Sequence, residues 1–226
     1  MDGQIFYIDE KKETASQELA YLLQKCMRMV EKPWKELVFL CIGSDRITGD
    51  SLGPLIGRQL LCHRWQHSFI YGTLEEPVHA LNLASVLEMI KKKHPSALTI
   101  AVDASLGSPG HVGYISVGLG SIRPGAGVRK NLPDAGDIFI TGIVGASGSL
   151  EHFLLQTTRL SAVFRMADAI VKGILFTFSG HAKDLRFRTE ECFPQEDFLL
   201  LSCPAKESAL TVLSGTGNSG DGINRF

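Results

Sequence analysis

Two aspartates stand where acid–base chemistry could be run: Asp50, in GSDRITGDSLGP, and Asp103, in IAVDAS. Two carboxyls in a desolvated cleft cannot both ionise easily, so one pKa rises and a proton is shared. The ionised member can take a proton from an attacking water, while the protonated member polarises an amide or protonates its leaving group. Each residue also has a plainer use. Asp50 alone fits the cap of a following helix, and Asp103 alone could be satisfied by a hydrogen bond to a neighbouring loop. The stretch IRPGAGV at 122–128 offers backbone N–H groups and the guanidinium of Arg123, a cradle for an anion or a peptide backbone. A tight turn with a surface arginine explains the same residues. The glycines of VGLG at 117–120 and GASGS at 145–149 let a ligand come close, or simply make turns.

Rival chemistries lack their residues. GSDRITGDSLG is neither GxGxxG nor a P-loop. GASGS carries Ser149 where a GxSxG nucleophile elbow needs glycine, and there is no HExxH. The histidines His63, His67, His79, His94, His111, His152 and His181 are scattered and read as surface or capping residues, with His152 and His181 as accessories near a crevice. No metal and no cofactor is expected. Cys26, Cys41, Cys62, Cys192 and Cys203 are odd in number and form no CxxC pair, which points to reduced thiols and a cytoplasmic setting. A formal net charge of -1 gives no footprint for nucleic acid. The one basic run, KKK at 91–93, reads as a solvated helix end complementing the dipole. The acidic start MDGQIFYIDEKKE is not that of a signal peptide.

The elements that must place Asp50 and Asp103 follow from periodicity. A short extended start at Ile5–Ile8 precedes a helix over Ala15–Val30, stopped by Pro33. LVFLCIG at 37–43 is a continuous apolar run, as in a strand covered on both faces. A helix from Ser51, which can cap it, runs to about Trp65, with Pro54 in its first turn. Then come a strand at Phe69–Thr73, a helix over Ala80–Lys93 and a strand at 98–104. Strands alternating with helices predict a mostly parallel sheet, whose strand C-termini frame the ligand crevice. Asp103 ends one of those strands and Asp50 lies in the loop after another. Two strands with no helix between them, GYISVGLGSI and DIFITGIVGA, make the sheet mixed. One long helix is expected over Leu150–Phe178. Its most apolar part carries Arg165, Asp168 and Lys172 on one stripe, so it is an amphipathic core helix and not a membrane span. The domain is expected over 1–182. The extension 183–226 holds FLLLS at 198–202, an edge strand or docking segment, and SGTGNSGDG at 214–222, with the composition of a flexible tail.

CIGSDRITGDSLGPLIG at 41–57, VDAS at 102–105 and IRPGAGV at 122–128 together resemble the spore germination protease family and, more closely, its small YyaC-type sporulation relatives. The resemblance spans about 37–180. It implies a three-layer α/β/α sandwich with a mixed, mostly parallel sheet, as in the hydrogenase maturation endopeptidases. It implies an endopeptidase that needs no metal, with Asp50 and Asp103 as the catalytic pair. Gly43, Ser44, Asp45, Gly53, Ser105, Arg123 and Gly125 would then shape the substrate cleft. The implied substrates are small acid-soluble spore proteins, met in the cytoplasm of a forespore or spore. No nucleic-acid or membrane partner is implied, and a homo-oligomer is allowed. Two alternatives stay open: a metal-sensing maturation peptidase, and a non-catalytic sporulation or peptide-binding protein of the same fold.

Overall fold

Apolar runs of strand length become one six-stranded sheet because each is flanked by helices with a single apolar face. A computed structural model describes residues 4–63, 67–124, 132–148 and 151–179. The chain divides into two units after Gln195, and the second lies wholly outside the described residues, as do FLLLS and SGTGNSGDG. The strands are β1 (Ile5–Asp9), β2 (Glu36–Cys41), β3 (Ser68–Tyr71), β4 (Ala97–Gly107), β5 (Tyr114–Leu119) and β6 (Ile138–Ala146). They lie in the order β1-β5-β6-β4-β2-β3. β3, β2, β4 and β6 are mutually parallel, whereas β5 runs antiparallel to β6 and β1 antiparallel to β5. The sheet is therefore mixed and mostly parallel, as the sequence predicts.

Helices cover both faces. The apolar stripes of α1 (Ala15–Met29), α2 (Leu52–Leu60) and α5 (Leu160–Ser179) bury Leu19, Leu23, Ile56, Leu60, Ile170 and Ile174 against Phe39, Ile100, Val102 and Ile140. On the other face α3 (Leu83–Lys93) sets Leu83 and Ile90 against Val38, Leu40 and Ala101. The result is the three-layer sandwich. Arg165, Asp168 and Lys172 are exposed along α5, and among the described residues no helix is long and apolar enough to cross a membrane.

The structure departs from the sequence reading in several places. The expected long helix over Leu150–Phe178 is two helices, α4 (Glu151–Thr157) and α5, because Thr157 and Thr158 turn their hydroxyls onto the carbonyls of Phe153 and Leu154. The helix after Asp50 ends at Leu60, short of Trp65. Ser51 does not cap it through its side chain; its hydroxyl donates to Thr48 O at 2.7 Å, closing a 3₁₀ turn over Gly49–Ser51. His94 does cap α3 but is not at the surface: it is 8% exposed, with Nε2 2.8 Å from Tyr71 Oη and Nδ1 3.0 Å from Glu36.

Close approach of backbone to backbone decides where the Asp50 turn sits. At the end of β2 the chain bends at Gly43 with φ 142°, and a Cβ there would collide with the carbonyl oxygen of Asp50. At the second residue of α2, a Cβ on Gly53 would strike the carbonyl of Ile42. We predict that Gly53→Ala lowers the unfolding free energy by about 1–3 kcal/mol. An unchanged urea midpoint would show that α2 does not lie so close on β2.

Candidate functional site

The chain leaves β2 toward β3 on one side, while β4 hands on toward β6 on the other. The gap between β2 and β4 is thus the topological switch point at which open α/β sheets bind ligands. β2 leaves its ladder with β4 at the pair Cys41–Val102, one residue before Asp103. Gly43 N–H is taken by Val78 O at 2.8 Å and Ser44 N–H by Asp50 O at 3.1 Å, which fold the loop back over the strand end. The 3₁₀ turn carrying Asp50 therefore packs on β4, the strand that carries Asp103. β4 is bulged immediately beyond, between Ser105 and Leu106, a distortion found often beside active sites.

Electrostatics ties the two acids together. Asp103 is 7% exposed, and burial first, then the charge of Asp50, hold its carboxyl well above the usual aspartate range. Ala104 N–H, donating to Asp103 Oδ1 at 2.8 Å, opposes them. Burial also pushes half-buried Asp50 up to about 6, against the pull of the Ser44 backbone N–H. Both acids are thus held above the ordinary aspartate range, and the charge of Asp50 favours the proton staying on Asp103, the arrangement of a base and an acid.

Of the other sequence-predicted residues, Gly43, Ser44 and Gly53 build the loop around Asp50, and Ser105 lies two positions along β4 from Asp103. Asp45 is on the same loop but exposed. Arg123 is not brought to the pair. Its Nε donates to Asp134 Oδ1 at 2.8 Å beside the Ile122–Ala135 bridge, at the end where β6 begins, whereas Asp103 pairs with Thr141 farther along β6. Gly125 lies outside the described residues, as do Ser149 and His181 and the side chain of His152. Among the described residues no three His, Cys, Asp or Glu side chains are grouped to hold a metal ion.

Sequence reasoning passed over two buried hydroxyls in the row that begins at Asp103. Thr141 on β6 is its in-register neighbour, and Ser116 on β5 is the neighbour of Thr141. Their only signal was a polar residue inside an otherwise apolar strand run.

A coupled carboxyl pair at the switch point of an α/β/α sandwich is the class that fold and site define. The chain belongs to the family described as "Protein of unknown function (DUF1256)", whose model matches residues 7–173 and so includes both acids. It is 42% identical over 171 residues to the "Uncharacterized protein YyaC" of Bacillus subtilis (strain 168), a match covering 76% of this chain and 82% of that protein.

Burial of the acid has a stability consequence of definite sign. From about pH 4 upward the unfolded chain releases the Asp103 proton while the folded chain keeps it, so stability falls with rising pH until Asp103 itself ionises. Asn at this position has no proton to lose and can still accept from Ala104 N–H. We predict Asp103→Asn to be more stable than the parent at pH 7 by about 1 kcal/mol or more, with the gain vanishing below about pH 4. Equal denaturation midpoints at both pH values would contradict the assignment of a buried neutral acid.

Proposed function

We propose that the protein is an endopeptidase of the germination-protease type, hydrolysing small spore or sporulation proteins in the cytoplasm of the forespore or spore. The observation that carries this reading is the packing of the Asp50 turn on β4, the strand that buries Asp103 at the switch point of the sheet. The pair then supplies both halves of amide hydrolysis. Water attacks the carbonyl carbon and gives its proton to ionised Asp50. As the C–N bond breaks, Asp103 passes its proton to the departing nitrogen. Transfer of a proton from Asp50 to Asp103 restores the starting state. Gly43, Ser44 and Gly53 bear on the reaction by fixing the loop that presents Asp50. The same DxLGP and VDA phrases that give the resemblance to the protease family carry these two acids.

The test is cleavage of small acid-soluble spore proteins, with casein as a general substrate, by the parent, Asp50→Asn and Asp103→Asn. Each variant is expected to lose a factor of about 10²–10⁴, and the parent rate should rise with pH through about 6 as Asp50 ionises. No cleavage across a broad pH range, or cleavage that Asp103→Asn leaves intact, would defeat the enzyme reading and favour a non-catalytic binding protein.

A further inference from the structure

Strand interiors on the α3 face of the sheet are filled by apolar groups such as Val38, Leu40 and Ala101. At one level they are not. Asp103 on β4, Thr141 on β6 and Ser116 on β5 stand in register on that face, 7%, 8% and 5% exposed. Buried hydroxyls are costly when left unbonded, and apolar residues of similar size would fill the same space without that cost. These two are bonded to each other, Ser116 Oγ lying 2.7 Å from Thr141 Oγ1. Ser105 adds a third, donating to Thr141 Oγ1 at 3.1 Å with Gly142 O at 3.5 Å as its other acceptor. The threonine hydroxyl is thus fixed from two sides.

Among the described residues the acid beside it is held on one oxygen. Because Ala104 N–H donates to Oδ1, the proton of the neutral carboxyl belongs on Oδ2. Among the described residues no hydrogen bond reaches Oδ2, the oxygen that Ala104 leaves for another donor. Neighbouring strands run about 4.8 Å apart, which places the Thr141 side chain against that of Asp103.

We infer that Thr141 is a positioning residue for Asp103, held at its side by the hydroxyls of Ser105 and Ser116. Its role in turnover rests on the hydrolase reading; its hydrogen bonding to the acid does not. Hydroxyl protons rotate without moving heavy atoms. With Asp103 neutral, Thr141 donates to Ser116. When Asp103 gives up its proton, Ser116 donates to Thr141 instead, and Thr141 turns its own proton to Oδ2, directly or through one water. The chain thereby stabilises the carboxylate left after proton transfer and gives it back its orientation for the next turnover.

The ionisable surroundings leave this effect readable. Asp50, on the turn, is the charge that acts on Asp103. Cys41 of β2 points into the opposite, helix-covered core. Tyr114 of β5 packs its ring near His111, and His79, after the Val78 bridge, accepts Leu81 N–H on Nδ1. β6 itself carries no ionisable residue.

The experiment is a carboxyl-carbon NMR titration of Asp103 in the full chain, as parent, Thr141→Val, Thr141→Ser and Ser116→Ala. A donor to the ionised form lowers a pKa, so Thr141→Val should titrate higher by about half a unit or more. Thr141→Ser should match the parent, and Ser116→Ala should fall between. Parent-like titration of Thr141→Val, or failure of Thr141→Ser to restore the value, overturns the inference. If Thr141→Val does not fold, Ser116→Ala decides alone by the same criterion. Where protein hydrolysis is measurable, the upper limb of the pH–rate profile moves with the NMR value. Hydrolysis with an unmoved Asp103 rejects the inference and leaves the peptidase reading standing; a moved Asp103 in a chain that cleaves nothing does the reverse.

Discussion

Everything at the crevice depends on one unfavourable interaction: a carboxyl group enclosed at the middle of a sheet, with a second carboxyl's charge directed at it. Neither burial nor like charge favours the folded state, and either could be relieved by an apolar residue at position 103. The fold instead keeps the acid and raises its hold on a proton. A strained and costly group held in place by its surroundings is typical of a working site.

The surroundings that hold it are mostly backbone. β2 ends one residue before Asp103, and the bend at Gly43 lets the Asp50 turn drop into the space so opened. Gly53 lets α2 start against Ile42, which sets the height of that turn above the sheet. On the other side of β4, Gly142 leaves room for Met166 and Leu52, so α5 and α2 press on the strand that presents Thr141. Side chains with a Cβ at these positions would displace the turn, the helix or the strand by more than the site could absorb.

Much of this was legible from residue patterns. The run LVFLCIG fits a strand buried on both faces, and the alternation that follows it points to a parallel sheet whose carboxyl ends gather Asp50 and Asp103. What could not be read were features set by long-range direction and by single hydroxyls. Arg123 follows β5, and because β5 runs antiparallel to β6 the chain is carried to the far end of the sheet from Asp103; nothing local in IRPGAGV reports that reversal. The break between α4 and α5 hides in an apolar periodicity that runs straight through it, with two threonines as its only mark. Thr141 and Ser116 lie inside apolar strands, and only the register across three strands reveals that they stand in one row with Asp103.

Electrostatic coupling between Asp50 and Asp103 is measured most directly by infrared spectroscopy. A protonated carboxyl has a C=O stretching band that a carboxylate lacks. Following the Asp103 band with pH in the parent and in Asp50→Asn isolates the influence of one acid on the other. The account predicts that the band persists to neutral pH in the parent and is lost at distinctly lower pH once Asp50 is neutralised. A band lost at the same pH in both proteins would mean that the two acids do not feel each other, and the shared-proton site would have to be given up.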